Sequence, residues 1–289
     1  MPHATSVPVL RWPAEALWHA AEPLLPGFSV EILPELGSTN TELMRRARLG
    51  RADPVLLVAE RQTAGRGRLG RSWSSHGGAL HDGAGTQAGL EAGPAPAAAA
   101  QTGASLTFSL GLALSPADWS GLSLAVGLAV AHSLHTGIQL KWPNDLWLEG
   151  RKLGGILIET VAVGEVRYAV IGIGINIERP VAQELRTPPA ALRELLPEVD
   201  AAQALGLIGL PLVQAVLRFA AEGFGPLRSA YHARDLLYGQ ALVCTDGTVG
   251  QGRGVDASGA LLLQTATGLQ KISSAEVSVR PHSPVLAGH

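Results

Sequence analysis

The sequence predicts a mixed α/β domain followed by a small all-β barrel. Between residues 28 and 237, runs with strand patterning alternate with runs at helical spacing. From Gln240 the pattern changes to short strands punctuated by Asp246-Gly247, Ser258-Gly259 and Thr267-Gly268, which are hairpin signals. The length of 289 residues, 46% of them hydrophobic, is enough to bury a full core in one or two domains. A net charge of −2 argues against general attraction to nucleic acid or to a membrane surface. The single cysteine, Cys244, leaves no internal disulfide and no cysteine-rich zinc site. No apolar run reads as long enough to span a bilayer, and no basic-then-apolar leader opens the chain, so the expected location is the cytoplasm.

Residues 1–27 form an N-terminal extension with five prolines and one short helix near Ala14–Ala21, too little for a winged helix-turn-helix module. Phe28–Leu33 alternates as a strand. Ser38 or Thr39 then caps a helix starting near Asn40, with Glu42 as a capping-box acid, and Gly50 ends it. Hydroxyls and N–H groups at such a helix start also suit a polar ligand. Val55–Ala59 is a buried strand leading through Gln62 into Gly65-Arg66-Gly67-Arg68-Leu69-Gly70-Arg71-Ser72-Trp73. The three glycines satisfy G-x-G-x-x-G, but they do not follow the strand directly and no amphipathic helix follows them, so a dinucleotide fold is rejected. What remains is a flexible loop whose arginines can fold over phosphate or carboxylate oxygens.

Residues 76–102, rich in Ala and Gly, read as a surface insertion that carries little chemistry, with His76 and His81 solvated rather than metal-binding. Ser105–Leu114 is a strand, Asp118–His135 a long apolar helix, and Ile138–Trp142 a strand. Lys141–Glu159 then reads strand, turn, short strand, turn, strand, with the second turn at Gly150-Arg151. Gly154 and Gly155 leave the last strand bare for a flat ligand. Val166–Asn176 is a buried strand ending in Gly172-x-Gly174-x-Asn176. Ala190–Leu196 and Leu210–Ala221 are helices, the second running on past Gly223 towards Leu237. The boundaries drawn are 1–27, 28–237 and 238–283.

Composition singles out residues within this frame. Only Lys141, Lys152 and Lys271 are lysines among 22 basic residues, and only Asn40, Asn144 and Asn176 are asparagines. Arg151 stands beside Lys152, so arginine is tolerated next door. A surviving lysine marks a place that needs a compact point charge.

Together, Ser38-Thr39-Asn40, Gln62-x-x-Gly65-Arg66-Gly67-Arg68-x-Gly70-Arg71-x-Trp73, Lys141-Trp142-Pro143-Asn144-Asp145, Arg151-Lys152-Leu153-x-Gly155-Ile156-Leu157 and Gly172-Ile173-Gly174-Ile175-Asn176 resemble the biotin–protein ligases (biotin–[acetyl-CoA-carboxylase] ligases). The resemblance implies a mixed-sheet catalytic domain similar to class II synthetases (biotin/lipoate ligase-like) and an SH3-like C-terminal barrel. It implies formation of biotinyl-5′-AMP from biotin and ATP with Mg²⁺, then transfer to a lysine of the biotin carboxyl carrier domain of acetyl-CoA carboxylase. Biotin would be held by Ser38, Thr39, Asn40, Gln62, Arg66, Gly67, Arg68, Lys152 and Gly155. Arg66, Arg71, Trp73, Asn144, Asp145, Lys152 and Asn176 would lie at ATP or the adenylate, with Asp145 at the Mg²⁺. Lys152 and Arg68 are the implied catalytic groups, and the arginine loop is the implied lid.

The chain departs from the family pattern at Gly103-Ala104-Ser105-Leu106, where many members have Gly-x-Asn-Leu. Without a DNA-binding module, repressor activity is not expected. A homodimer through apolar sheet edges is compatible with the pattern. Two other readings stand beside the first: a lipoate- or octanoate–protein ligase of the same fold, and a non-catalytic biotin- or adenylate-binding regulator.

Overall fold

The computed structural model describes residues 10–73, 103–180, 189–273 and 279–281. The predicted insertion at 76–102 lies outside them. The elements are α1 (Ala14–Ala21), β1 (Ser29–Leu36), α2 (Thr39–Arg48), β2 (Val55–Gln62), β3 (Gly65–Arg66), β4 (Ser72–Trp73), β5 (Ser105–Leu114), α3 (Leu122–Leu134), β6 (Gln139–Lys141), β7 (Asp145–Leu148), β8 (Arg151–Val163), β9 (Val166–Asn176), α4 (Ala201–Glu222) and α5 (Arg228–His232). Five short strands follow: β10 (Ala241–Cys244), β11 (Val249–Val255), β12 (Leu261–Thr265), β13 (Gly268–Ile272) and β14 (Val279–Pro281).

A seven-stranded mixed sheet runs β1-β2-β5-β9-β8-β7-β6, parallel only between β1 and β2. Its two faces are built differently. Leu106, Phe108, Leu110 and Leu112 of β5 pack into the main core with α1, α3 and α4. The alternate residues Thr107 and Ser109 face the side covered by α2, whose Leu43, Met44 and Ala47 form a smaller cluster with Leu57, Tyr168 and Val170. On this second side a cleft opens at the first turn of α2.

Several boundaries differ from expectation for local physical reasons. Ser38 caps α2 by accepting from the Thr41 N–H at 3.4 Å, but Glu42 does not complete a capping box. Its carboxylate takes Arg45 and Arg46 instead, and the Arg45 hydrogen bonds, working against burial and aided by Arg46, hold it down to about 2. The β7–β8 turn is Glu149-Gly150, with φ of 48° and 74°, rather than Gly150-Arg151. Two successive left-handed residues suit a tight hairpin. Ala190–Leu196 holds only a 3₁₀ turn at Leu192–Glu194.

α4 starts at Ala201, well before Leu210, because Asp200 and Gln203 cap each other. Pro211 is carried inside it, and Gly223 at φ 70° stops it, so no helix runs on to Leu237. α4 also corrects the expectation that no apolar run reaches bilayer length. Its 22 residues would suffice by length and apolar composition alone. Its Leu205, Ile208, Leu212 and Val216 are fully buried against the main core, which is what its apolar composition serves here.

The C-terminal strands form an SH3-like antiparallel sheet, β13-β12-β11-β10-β14. It is tied to the large sheet beside the cleft: the Trp142 indole donates to the Gly259 carbonyl at 3.1 Å. The connecting segment runs along β6, with Leu140 N–H on the Arg234 carbonyl and Leu236 N–H on the Leu140 carbonyl. Asp235 sits in this joint. One carboxylate oxygen accepts from Leu237 N–H at 2.9 Å, and the other has no partner among the described residues.

Burial pushes the Asp235 carboxyl up to about 6 from 3.8. A raised acid stabilises the fold fully below its ordinary value and loses that contribution as the pH climbs through about 4 to 6. Asp235→Asn keeps the acceptor and removes the charge. It is expected to be more stable than the wild type at pH 8 by about 2 kcal/mol, allowing for partial exposure, and nearly equal to it at pH 4. Urea unfolding at the two pH values checks this; an equal difference at both would contradict it.

Candidate active site

Sheet register lays the floor of the cleft. Ser109, Gly172 and Leu157 lie abreast on β5, β9 and β8, and Thr107, Gly174 and Gly155 form the next row. Alternation puts both rows on one face. The glycines lower the floor so that other groups approach it closely. The Asn40 amide rests on Gly172 and the Trp73 indole on Gly174, and a Cβ at either glycine would collide with them. Gly154 points the other way, against the Gly174 carbonyl and Leu146, so of the glycine pair only Gly155 is bare floor.

One end of the cleft is a buried polar network at the start of α2. Gln62 Oε1 accepts from the Thr39 N–H at 2.7 Å and from the Thr39 hydroxyl at 3.2 Å. The Ser109 hydroxyl lies 2.6 Å from Thr39 Oγ1 and 2.7 Å from Asn40 Oδ1. Asn40 Nδ2 donates to the Leu157 carbonyl at 3.1 Å and to Glu159 Oε2 at 3.0 Å. Ser38, Thr39, Asn40, Gln62 and Ser109 are all buried, and their hydrogen bonds run to protein groups.

The other end carries charge. A bulge at Leu153, between the Leu146–Gly154 and Trp147–Lys152 pairs, returns Lys152 to the same face as Gly155 although they are three residues apart. Lys152 Nζ thereby meets Asp145 Oδ1 at 2.7 Å, and Lys141 lies over the Trp147 ring at 4.5 Å. Asn144 is pinned by donating to the Ile156 carbonyl at 2.8 Å, and its Oδ1 accepts from Arg68 at 3.3 Å. Burial lowers the Arg68 guanidinium from its ordinary value; Asp145 opposes that shift and Arg71 adds to it.

The arginine loop is an ordered ribbon. β3 and β4 pair Gly65 with Trp73 and Arg66 with Ser72, and a 3₁₀ turn at Arg68–Gly70 closes them. It forms the third wall of a cleft of about 1100 Å³, open mouth included. The whole is a long groove with neutral hydrogen-bonding groups at one end, cations and one carboxylate at the other, and a basic flap alongside.

Known proteins resemble this chain in sequence and fold. Residues 100–176 match the biotin/lipoate A/B protein ligase family, and residues 242–280 match the biotin protein ligase C-terminal domain. The biotin–[acetyl-CoA-carboxylase] ligase of Paracoccus denitrificans is 34% identical over 255 residues, covering 85% of this chain and 98% of that protein. The chain belongs to the biotin–protein ligase family. The bifunctional ligase/repressor BirA of Escherichia coli K12 is 32% identical over 269 residues, 89% of this chain and 75% of its own length. The biotin protein ligase of Aquifex aeolicus, solved with biotin and ATP, superposes with a TM-score of 0.67 at 25% identity over 88% of this chain and 99% of its own.

Most of the residues singled out from the sequence line this one cleft: Ser38, Thr39, Asn40, Gln62, Arg66, Gly67, Arg68, Arg71, Trp73, Asn144, Asp145, Lys152 and Gly155. Asn176 does not. Its amide donates to the Ala190 carbonyl at 3.0 Å, and the Ala190 N–H donates to the Lys152 carbonyl at 2.9 Å, so Asn176 braces the backbone behind Lys152. Sequence reasoning missed Thr107, Ser109 and Glu159. The first two were readable: Ser105, Thr107 and Ser109 are polar at every second position of an otherwise apolar strand, which marks a face turned toward something polar.

Proposed function

We propose that the chain is an ATP-dependent biotin–protein ligase that makes biotinyl-5′-AMP and transfers biotin to a lysine of a biotin carboxyl carrier domain of acetyl-CoA carboxylase. The observation that carries this reading is the single groove joining the Thr39–Gln62–Ser109 network to the Lys152–Asp145–Arg68 group. A ureido ring needs several fixed donors and acceptors in a dry place, and the first end supplies them. A carboxylate meeting a triphosphate needs positive charge, and the second end supplies that.

In the first step a biotin carboxylate oxygen attacks the α-phosphorus. The bond to the bridging oxygen breaks and pyrophosphate leaves. Lys152 would exchange Asp145 for the incoming carboxylate and a phosphate oxygen, offsetting the charge that builds as the two anions meet. Arg68, drawn inward and held on Asn144, would add to that field. In the second step the acceptor lysine amine attacks the acyl carbon and AMP departs. The adenylate is a reactive mixed anhydride, and the β3–β4 ribbon lies where it can keep water from it.

Mg²⁺ fits this site as a companion of ATP. Among the described residues no three His, Cys, Asp or Glu side chains form a cage, but Asp145 offers one carboxylate, and nucleotide-borne Mg²⁺ commonly uses one or two protein carboxylates plus phosphate oxygens. When bound, the ion neutralises triphosphate charge. The expected cytoplasmic location suits this reading.

The test is pyrophosphate release with ATP and biotin, lipoate or octanoate in turn, followed by transfer to a purified carrier domain. Biotin-dependent release with label appearing on the carrier is expected. Turnover with lipoate and none with biotin would replace this reading with that of a lipoate ligase, and biotin binding without turnover would leave only a regulator.

A further inference from the structure

We propose that Glu159 is a positioning residue for the ureido end of biotin, acting through Asn40 and through Arg66 of the flap. The proposal rests on the biotin-ligase reading of the cleft. Glu159 shares its strand face with Gly155 and Leu157, one row beyond the floor, so β8 carries it to the border between the cleft and α2. Its two carboxylate oxygens reach different elements. Oε2 accepts from Asn40 Nδ2 at 3.0 Å, in the first turn of α2, where the helix end favours a negative charge. Oε1 accepts from Arg66 Nη1 at 3.3 Å, on β3.

The first contact has a directional consequence. With the Leu157 carbonyl at 3.1 Å, Glu159 occupies both protons of the Asn40 amide, so Oδ1 must face Ser109. The Ser109 hydroxyl has one proton to share between Asn40 Oδ1 and Thr39 Oγ1. Remove Glu159 and one of the two acceptors that fix the amide is gone, so the Leu157 carbonyl alone holds Asn40 against Ser109. The amide then loosens, and with it the Ser109–Thr39–Gln62 hydrogen bonds that it anchors. A ligand with one carbonyl acceptor and two N–H donors is sensitive to that pattern. The Asn40 contact lies away from the Lys152 end, so its effect falls on biotin.

The second contact fastens the flap. Arg66 is half exposed, so the pair is loose and salt-screened, and it acts as a tether more than as a strut.

Biotin titration calorimetry without ATP, joined to steady-state kinetics, tests this. Glu159→Ala is expected to weaken biotin binding tenfold or more and to raise KM for biotin equally, with KM for ATP and kcat within twofold. Glu159→Gln keeps an acceptor for Asn40 but loses the charge facing Arg66, so it is expected to recover most of the loss and to show a weaker dependence of biotin affinity on salt. It also provides the test should the alanine variant not fold. Unchanged biotin affinity in both variants, or parallel rises in KM for biotin and ATP, would overturn the proposal. Failure of the wild type to bind biotin would instead overturn the ligase reading beneath it.

Discussion

Lys152→Arg is expected to lower biotin-dependent pyrophosphate release by about a hundredfold to a thousandfold, while biotin binding without ATP changes by less than about fivefold. Charge is conserved in this substitution, so the loss is a matter of geometry. Lys152 Nζ sits 2.7 Å from Asp145 Oδ1 on a side chain that is 43% exposed, a single contact that an incoming carboxylate can displace. A guanidinium in its place would present a planar fork that matches the Asp145 carboxylate with two parallel hydrogen bonds. It would be held there more firmly, and it would project into the space above Gly155, where a Cβ would already lie 3.5 Å from Nζ. Removing one preorganised donor from a charge-developing site typically costs about 3 to 4 kcal/mol, which sets the size of the effect. The decisive measurement is pre-steady-state pyrophosphate release at saturating ATP and biotin. Near-normal release by the arginine variant would remove Lys152 from the role given to it.

The site shows what a sequence carries and what it leaves to folding. The limits of β5 and β9 were readable to the residue, because both strands are buried along most of their length and bounded by clear breaks. The residues that line the cleft were also readable, since they are rare residue types gathered in short motifs. Their arrangement was not. Gly155 and Lys152 share a face only because Leu153 is bulged out, and nothing in Arg151-Lys152-Leu153-Gly154-Gly155 announces a bulge. Asn176 carried the same compositional mark as Asn40 and Asn144, yet its amide supports the Ala190 carbonyl behind Lys152. Scarcity identifies a residue that resists replacement without saying whether ligand or backbone requires it. Glu159 lay beyond reach for another reason: its partners, Asn40 and Arg66, are 119 and 93 positions away, and only sheet register brings them together. α4 was misjudged at both ends: packing on α3 and β5 carries it back through Gly209 and Gly206 to the Asp200 cap, and Gly223 stops it at the other end.

Gly172→Ala is expected to weaken biotin binding by about a hundredfold without unfolding the chain. Gly172 lies in the middle of a central strand, away from the left-handed region, so alanine brings no backbone strain and would ordinarily favour the strand. The whole effect is steric. A methyl at this position would occupy the place of the Asn40 amide. Asn40 cannot step aside cheaply, because Ser109, the Leu157 carbonyl and Glu159 hold it from three directions and it is buried. Either the amide leaves its network or the start of α2 lifts from the sheet, and both disturb Thr39 and Gln62. Overpacking of this kind costs about 1 to 3 kcal/mol, which corresponds to the expected loss. Gly174 supplies the contrast: its methyl would meet the Trp73 ring, which belongs to the largely exposed β3–β4 flap and not to the buried Asn40 network, so Gly174→Ala should cost less biotin affinity. The cause is isolated by a double-mutant cycle with Asn40→Ala, measured by calorimetry. In that background the space under α2 is free, and Gly172→Ala should cost less than about threefold. An undiminished hundredfold penalty there would mean that Gly172 serves biotin directly and not by making room for Asn40.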